Sequence, residues 1–383
     1  MPLSSRIEQL HEQAAGLVGL KDFGSDDGYL DGLNALIDAV EAEAELTEVG
    51  QQMFAQQLIG GLVGRLLAEK GFTDHPQCLA TPIKKPIIVT GFTRSGTTAL
   101  HKLLVSVPGT QGLDCWLTAF PMPRPPREIW DGIPAYQQTV TGLEQLYTLA
   151  PDMKKIHLIR ADEPDECWRI FTHSFMTYSL LGFVWAPSYA DWLLTVDRRK
   201  AYARYRKAIQ LIGYQNASTW VLKDPMHLPS IDLVLEQFPD ACIVHTCREP
   251  VEVMPSVCSL MNTVTTPFQN NIDKHQYGRR IFSDYAWQME RFMELRKKLD
   301  PGRFLDVQYN DIVRDPVTVA KNIYRHFDID IGEQGEQALQ RWQQGNTQHK
   351  YGKHEYRLED FGLNEGMINE RLADYRQTYL QRN

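Results

Sequence analysis

The chain has 383 residues, 43% of them hydrophobic and 23% charged, which is enough for one large α/β domain or two smaller domains. Its net charge is −8, from 40 basic and 48 acidic residues. General nucleic-acid binders usually carry a basic excess, so we expect no nucleic-acid partner. The six cysteines include no C-x-x-C pair and no Cys/His zinc framework, a usage typical of reduced thiols in the cytoplasm.

The N-terminus and the apolar runs predict a soluble cytoplasmic protein without a membrane span. The first five residues lead directly into a polar helical pattern, with no secretory signal. The longest apolar run, residues 175–186, has about 12 residues, whereas a membrane-spanning helix needs roughly 20.

In chain order, the first predicted elements are helices within residues 5–72, where apolar residues recur at helical spacing. Residues 84–110 predict a strand, a loop and a helix. Residues 115–135 contain four prolines within positions 121–126 and predict a long loop, which is either a rigid surface connector or a wall of the active site. Residues 162–192 favour helix and are rich in aromatic side chains, and residues 198–213 continue as helix.

The following part of the chain alternates strands with helices. The strands are predicted at 219–222, 242–246 and 304–307, and the helices at 229–238, 250–260 and 316–327. This alternation predicts an α/β fold with a P-loop-like parallel β-sheet, helices on both faces and an N-terminal helical layer. We divide the chain into an N-terminal helical region, residues 1–78, and an α/β domain, residues 79–383, packed as one unit.

The segment from residue 84 to residue 104 carries the strongest functional signal. A β-branched run ends in a glycine, a loop with a second glycine follows, and a helical pattern begins at two threonines. Backbone N–H groups at such a helix start bind anions, and the macrodipole favours negative charge there. The predicted anion-binding residues are Gly91, Thr93, Arg94, Ser95, Gly96, Thr97 and Thr98.

This loop differs from the loop of nucleotide triphosphatases, in which Gly-x4-Gly is followed by Lys and then Ser or Thr. Gly91 and Gly96 have that spacing, but Thr97 and Thr98 follow, and Arg94 is the cation within the loop. The missing lysine predicts a ligand with fewer phosphate charges and no obligatory Mg²⁺, so we predict no metal site. The alternative is an ordinary glycine-containing turn between a strand and a helix.

A second anion site is predicted after the strand at 242–246. Arg248 lies just past the strand end, where open α/β sheets bind ligands, and Ser256 follows eight residues later in the next helix. The guanidinium group is a planar, permanently charged fork that suits phosphate. The alternative is a surface arginine and an unrelated helix serine.

Candidates for the chemistry flank the strand at 219–222 and precede the aromatic segment. Lys223 suits the stabilisation of a transferring anion, and His227 suits a general base near neutral pH. Their alternative is a surface lysine and a histidine that caps the next helix. Glu163 and Glu166 belong to an acidic run expected in the first turn of a helix, or one of them points into the acceptor cleft as a base.

Taken together, these segments resemble sulfotransferases that use 3′-phosphoadenosine-5′-phosphosulfate (PAPS), particularly their bacterial branch. Residues 91–98 resemble the 5′-phosphosulfate loop, Arg248 with Ser256 resembles the 3′-phosphate element, and residues 223–229 resemble a Lys-x-His-Leu-Pro segment with two residues inserted. Tyr309 begins a segment similar to the family's Tyr-Glu-Asp-Leu, and residues 349–363 resemble a loop that closes over the nucleotide. The resemblance implies nucleotide-binding roles for Tyr309, Lys353, His354 and Tyr356.

The resemblance also implies in-line, metal-independent transfer of a sulfuryl group from PAPS to a hydroxyl, which leaves adenosine 3′,5′-bisphosphate (PAP). Loop N–H groups, Arg94 and Lys223 would stabilise the developing charge. Either His227 or Glu166 would take the acceptor proton. The aromatic residues of 162–192 either line an apolar cleft for a small hydrophobic alcohol, phenol or lipid, or they belong to the core.

Two other functions fit the same fold. A P-loop kinase predicts Mg²⁺-dependent ATP binding, and a catalytically silent nucleotide-binding scaffold predicts binding without turnover. The N-terminal helices suit a dimer surface, a substrate lid or plain packing, so a homodimer is one expectation.

Overall fold

The structure is a computed structural model that describes residues 7–149, 151, 154, 158–345 and 357–381. Its strands are β1 (Ile87–Gly91), β2 (Thr110–Gln111), β3 (Thr219–Lys223), β4 (Cys242–Cys247) and β5 (Phe304–Gln308). Its α-helices are α1 (Ile7–Val18), α2 (Gly28–Glu43), α3 (Glu48–Asp74), α4 (Thr97–Val105), α5 (Cys115–Ala119), α6 (Pro134–Leu149), α7 (Trp168–Phe171), α8 (Pro187–Thr195), α9 (Arg199–Ile212), α10 (Ile231–Gln237), α11 (Pro250–Thr265), α12 (Lys274–Arg296), α13 (Tyr309–Arg314), α14 (Pro316–His326), α15 (Gly332–Gly345), α16 (Glu365–Arg371) and α17 (Ala373–Tyr379). The 3-10 helices are Pro76–Ala80, Arg127–Gly132, Thr172–Ser174, Tyr178–Gly182, Pro225–Ser230, Pro301–Arg303 and Leu358–Phe361.

The strands form one parallel sheet in the order β2-β3-β1-β4-β5, which confirms the predicted fold class. β1 is central, with Ile87 opposite Val221 of β3, and all of its residues are buried. Because parallel strands run in the same direction, β1, β3 and β4 end at one edge of the sheet, at Gly91, Lys223 and Cys247. The segments that follow these three strand ends carry most of the predicted site.

One face of the sheet is covered by helices that follow its strands. Val89 of β1 and Val244 of β4 belong to a buried cluster with Leu100 of α4 and Ile323 of α14. The strand positions alternate with period 2, and the helix positions lie on the inward side of each helix. This packing fixes the start of α4 against the sheet, and the predicted anion-binding loop lies immediately before it.

The chain forms two compact units whose sequence ranges interleave. The helical unit comprises Met1–Pro82, Leu113–Ala217 and Met261–Ile272. The sheet unit comprises Ile83–Gly112, Ser218–Leu260 and Asp273–Asn383. The division into residues 1–78 and 79–383 stays a prediction.

The helical unit contains α1, α2 and α3, which confirm the predicted N-terminal helices. Arg65 of α3 is fully buried, and its Nε donates to the Phe23 carbonyl at 2.6 Å while its Nη1 donates to the His173 carbonyl at 3.3 Å. Its guanidinium lies 4.0 Å from the centroid of the Tyr29 ring. Burial lowers the pKa of Arg65 to about 10, so the group stays charged at neutral pH and its hydrogen bonds tie the surrounding segments to α3.

Two sequence expectations for the helical unit are corrected. The helix predicted at 162–192 is broken into α7, two 3-10 helices and the start of α8, because Phe175 takes a left-handed backbone (φ +50°) and Pro187 begins a new helix. The loop predicted at 115–135 contains α5 and a 3-10 helix. There Trp130 donates its indole N–H to the Pro125 carbonyl at 2.9 Å, which holds the proline-rich turn.

The unpredicted elements of the sheet unit include β2 and α12. β2 is only two residues long and therefore leaves little periodic signal. α12 begins at an Asp273 cap, whose carboxylate accepts from the N–H groups of His275 and Gln276 at 2.8 and 2.9 Å. None of the helices in the described part of the chain is long and apolar enough to cross a membrane.

Candidate functional site

The segment from the last residue of β1 to the residue before α4, residues 91–96, is called the first turn. Gly91 has φ +143°, and a Cβ there would lie 2.3 Å from Thr246 Oγ1 of β4. Ser95 Oγ lies 2.6 Å from the same Thr246 oxygen, and the Ser95 N–H donates to the Phe92 carbonyl at 3.1 Å. A larger residue at 91 would therefore separate the first turn from β4.

The first turn ends where α4 begins. Gly96 occupies the N-cap position with φ +88°, a left-handed conformation that glycine adopts without strain. Glycine has no side chain to cap the N–H groups of Thr97 and Thr98, and an anion is the partner that such a helix start accommodates. The predicted loop and helix start are present, and anion binding by them stays a prediction.

Arg94 connects the first turn to the segment after β4. Its backbone is left-handed (φ +72°), which is uncommon for a residue other than glycine. Its Nε donates to Ser256 Oγ of α11 at 3.1 Å, and its own carbonyl accepts from Arg248 Nη1 at 2.7 Å. These two hydrogen bonds bring three predicted site residues together.

Arg248 and Glu249, directly after β4, are called the second turn. The Arg248 guanidinium stacks over Tyr309, with Cζ 3.9 Å from the ring centroid, and its Nε donates to Glu252 at 3.2 Å. The same ring lies beside the first turn, since a Cβ on Gly96 would be 3.1 Å from Tyr309 Cδ2. Tyr309 therefore contacts both turns, and the role of Arg248 with Ser256 as an anion site stays a prediction.

Lys223 is the last residue of β3 and His227 follows four residues later, and each has 1% of its surface exposed. Lys223 Nζ donates to Thr98 Oγ1 of α4 at 3.2 Å, so its charge is held at the helix start. His227 lies in the 3-10 helix Pro225–Ser230, which Asp224 caps by accepting from the Met226 N–H at 2.9 Å. The alternative of a surface lysine is wrong, and the chemical roles of Lys223 and His227 stay predictions.

The acidic segment before α7 belongs to the helical unit. Asp114 and Pro164 form an antiparallel bridge, and Asp165, which is buried, pairs with Arg169 at 3.2 Å. α7 starts only at Trp168 and has no acidic residue in its first turn, so the helix-dipole explanation of this acidic run is wrong. Glu166 is half-buried, and its role as a base stays a prediction.

Asp114 is a buried carboxyl of the helical unit. Burial raises the pKa of Asp114 to about 6, although Arg124, whose Nε lies 3.1 Å from Asp114 Oδ2, opposes that shift. The group is therefore partly protonated in mildly acidic solution, unlike most aspartates.

The predicted aromatic segment divides by exposure. Four of its side chains are buried and belong to the core, which supports the core interpretation for them: Phe171, Phe175, Tyr178 and Tyr189. Four others are half-buried: Trp168, Phe183, Trp185 and Trp192. For this second group, contact with an acceptor stays a prediction.

Three predicted nucleotide-binding residues, Lys353, His354 and Tyr356, lie outside the described residues. Three others that shape the site were not predicted. Thr246 contacts the first turn from β4, Tyr285 of α12 places its hydroxyl 3.0 Å from Thr93 Oγ1, and Tyr375 of α17 bonds the second turn. A threonine at the end of a strand that precedes the Arg248 motif is a usable signal, whereas nothing near Tyr285 or Tyr375 in the sequence marks them.

A partly buried hydrogen-bond network joins β4 to β5 beside the second turn. His245 Nδ1 lies 2.9 Å from Asp306 Oδ1, and Arg296 Nη1 and Nη2 donate to both Asp306 oxygens at 2.6 and 2.8 Å. Burial alone would raise the pKa of Asp306, but hydrogen bonds from His245 and Arg296 hold it far below its ordinary value. Burial lowers the pKa of His245, so its imidazole is neutral at pH 7. Since Arg296 engages both carboxylate oxygens, the network is a structural link between strands.

Comparisons with known proteins identify the family of this chain. A family model described as the sulfotransferase family matches residues 86–333. The solved sulfotransferase STF1 from Mycobacterium tuberculosis H37Rv is 38% identical, with a TM-score of 0.88 over 96% of this chain and 98% of that chain. The solved sulfotransferase STF9 from Mycobacterium avium is 26% identical, with a TM-score of 0.88 over 97% of this chain and 96% of that chain. The omega-hydroxy-beta-dihydromenaquinone-9 sulfotransferase Stf3 of Mycobacterium bovis is 24% identical over 285 residues, which span 70% of this chain and only 66% of that relative.

Proposed function

The chain belongs to the sulfotransferase family, and from this we propose that it transfers a sulfuryl group from PAPS to a hydroxyl on a small hydrophobic acceptor. The observation that carries the proposal is a pair of hydrogen bonds at Arg94 of the first turn: its side chain donates to Ser256 of α11, and its carbonyl accepts from Arg248 of the second turn. A nucleotide with anionic groups on both its 3′ and 5′ positions needs two cationic turns at a fixed separation. These bonds fix that separation.

The residues of the two turns fit such a nucleotide. In the proposal, the N–H groups at the start of α4 and Arg94 hold the phosphosulfate end. Arg248 and Ser256 hold the 3′-phosphate, with Tyr309 supporting the guanidinium. When bound, PAPS supplies the activated sulfuryl group, and the chain supplies binding, orientation and charge stabilisation.

Lys223 and Arg94 take the charge-stabilising role in the proposed transfer. Negative charge develops on the oxygen that links the sulfuryl group to the leaving phosphate. A buried ammonium acts on such charge more strongly than an exposed one, because less water screens it. Lys223 is buried and is oriented by its hydrogen bond to Thr98, so its position at the helix start is set before any ligand binds.

The acceptor hydroxyl must lose a proton during transfer, and two residues are proposed for this step. His227 Nε2 would take the proton if the base lies in the sheet unit. A carboxylate oxygen of Glu166 would take it if the base lies in the helical unit.

The proposal of a hydrophobic acceptor is supported by the relative from M. bovis, which is named for a hydroxylated menaquinone. In this chain, the half-buried Trp168, Phe183 and Trp185 offer apolar surface for such an acceptor. We further propose that the reaction takes place in the cytoplasm, which is supported by six cysteines that are all free and buried.

Calorimetric titration tests the donor. We expect tight, Mg²⁺-independent binding of PAP to the wild-type protein, lost in Arg248→Ala. ATP with and without Mg²⁺ is titrated beside it. A preference for Mg²⁺-ATP would contradict the proposal and favour a P-loop kinase.

Turnover tests the reaction and the acceptor. With PAPS as donor, hydrophobic alcohols and phenols should be sulfated much faster than polar sugars of similar size. Faster sulfation of sugars would contradict the hydrophobic acceptor. Binding of PAP without sulfation of any acceptor class would instead favour a silent nucleotide-binding scaffold.

A further inference from the structure

Two adjacent residues of α17 contact the two residues of the second turn. The Arg248 N–H donates to the Tyr375 hydroxyl at 3.2 Å, and that hydroxyl donates to the Arg248 carbonyl at 3.3 Å. Arg376 Nε donates to Glu249 Oε2 at 3.0 Å. α17 therefore holds the backbone of Arg248 through hydrogen bonds and the side chain of Glu249 through an ion pair.

Tyr375 has the properties that this contact requires. It is 1% exposed, and burial raises the pKa of its phenol well above the ordinary value. The hydroxyl therefore keeps its proton at neutral pH and can donate and accept at the same time. Its ring also meets Phe92 of the first turn edge to face, with centroids 5.3 Å apart. One side chain thus contacts both turns.

The backbone of Arg248 determines where its guanidinium lies. The group stacks on Tyr309 and bonds the Arg94 carbonyl, and both contacts depend on the position of the Arg248 Cα. The same helix also reaches Tyr309, because Gln308, the residue before it, donates from Nε2 to the Tyr379 carbonyl at 2.8 Å. α17 is therefore attached on both sides of the Arg248–Tyr309 stack.

We infer that Tyr375 is a positioning residue for the 3′-phosphate site, which it holds in a binding geometry by fixing the backbone of Arg248. The inference rests on the proposed function, because it takes Arg248 as the ligand of the 3′-phosphate. Tyr375 does not touch the nucleotide in this account. Its effect is exerted through Arg248 and should be limited to ligands that carry a 3′-phosphate.

The test compares two nucleotides on the full chain. Tyr375→Phe removes the hydroxyl and keeps the ring contact with Phe92. With two hydrogen bonds lost, calorimetry should show PAP binding weakened about five- to tenfold. Binding of adenosine 5′-phosphate, which lacks the 3′-phosphate, should change by less than about twofold. In an Arg248→Lys background, in which PAP binding is weakened but still measurable, Tyr375→Phe should cause a smaller further loss for PAP than it causes in the wild type.

Tyr324→Phe is the matched control. Tyr324 is also buried in the sheet unit, and its hydroxyl donates to a backbone carbonyl, that of Leu104, at 2.7 Å. This variant should lose a similar amount of thermal stability and keep full affinity for PAP. Arg376→Gln, at a half-exposed site, is a milder second variant that should weaken PAP about two- to threefold.

The outcomes separate the inference from the proposed function. Equal weakening of both nucleotides by Tyr375→Phe, no weakening of either, or the same loss in Tyr324→Phe would overturn the inference alone. A wild-type protein that binds no PAP would overturn the proposed function and the inference with it. In turnover, Tyr375→Phe should raise the KM for PAPS and leave kcat within about twofold, which a general loss of folded enzyme would not do.

Discussion

The first and second turns are held in place by different means. The first is shaped by its own backbone, since Gly91, Arg94 and Gly96 all have positive φ. Neither residue of the second turn has a positive φ. The second turn is held by side chains of other elements, including Tyr375, which is 127 positions away in the sequence. Short-range conformation therefore encodes one half of the site, and tertiary packing encodes the other.

The difference corresponds to a proposed division of labour. The first turn and the end of β3 carry the groups placed at the reacting end, whereas the second turn anchors the nucleotide. Substitutions in the first group should lower kcat, and substitutions in the second should lower nucleotide affinity. The predictions below test this contrast in order of expected effect.

Removal of the base should have the largest effect. His227→Ala and Glu166→Ala are compared at saturating PAPS, and loss of the base should lower kcat on the order of 10²–10⁴-fold while PAP affinity is unchanged. If one variant retains a near-wild-type rate, the residue replaced in it is not the base. Retention by both variants would show that neither residue activates the acceptor.

Arg94→Ala should lower kcat by about 10²–10³-fold, because a cation at the reacting end is lost. Its melting temperature should stay close to that of the wild type. Arg371→Ala, which removes an exposed arginine paired with Glu290 at 2.5 Å, is the control and should keep full turnover. Unchanged turnover in Arg94→Ala would contradict a charge-stabilising role of the first turn in the transfer.

Arg248→Lys should weaken PAP binding about ten- to thirtyfold, since lysine keeps the charge but loses the fork and much of the stacking on Tyr309. The kcat at saturating PAPS should change by less than about threefold. A large loss of kcat without a loss of affinity would break the proposed contrast between the two turns. Calorimetry and steady-state kinetics on the same preparation measure both quantities.

Gly96→Ala should cost about 1–2 kcal/mol of unfolding free energy from the left-handed backbone alone, with an added cost from the methyl group near Tyr309. Gly109→Ala is the matched control, because Gly109 has φ +80° and a Cβ there would meet nothing within 4 Å. Both variants should lose stability in urea titrations. Only Gly96→Ala should also lose affinity for PAP.

The smallest expected effect is a pH dependence of stability from Asp306, next to the second turn. Its pKa is lowered in the folded state, so its contribution is present above the unfolded value of about 3.9 and is lost as pH falls, by about 1 kcal/mol at pH 3. Asp306→Asn should flatten the acid limb of the stability curve.

Asp114→Asn is the comparison for that measurement. The pKa of Asp114 is raised to about 6, so its contribution is present below the unfolded value and is lost as pH rises through 6. This variant should reduce the fall in stability between about pH 4 and pH 6, the reverse of Asp306→Asn. Unfolding free energies measured from pH 3 to pH 7 separate the two effects. Equal slopes of unfolding free energy against pH in the two variants would contradict the opposite pKa shifts of Asp306 and Asp114.

The elements of the fold that could be predicted from the sequence are those with a local sequence pattern. β1, β3, β4 and β5 were predicted within a few residues, because buried parallel strands give short apolar runs. The helix predicted at 162–192 failed, because aromatic residues suit helices and irregular cores equally, and the left-handed Phe175 leaves no local signal.

The same holds for the site. Glycine spacing predicted the first turn, and Arg248 with Ser256 was predicted as a pair, although the bond from Arg94 to Ser256 was not. Tyr285 and Tyr375 were missed, since a tyrosine in an amphipathic helix looks like any core residue until the fold brings it to a turn. Contacts between residues so distant in sequence depend on helix packing, which one sequence does not encode in any local pattern.

The interleaved ranges of the two compact units have a consequence for how such a chain can diversify. The chain passes from one unit to the other after residues 82, 112, 217, 260 and 272. A single recombination crossover between residues 83 and 272 would divide both units, and exchange of one intact unit between relatives would need all five of these junctions at once. Neither unit is therefore a module that one segment of the gene encodes, and neither can be exchanged as a single insert.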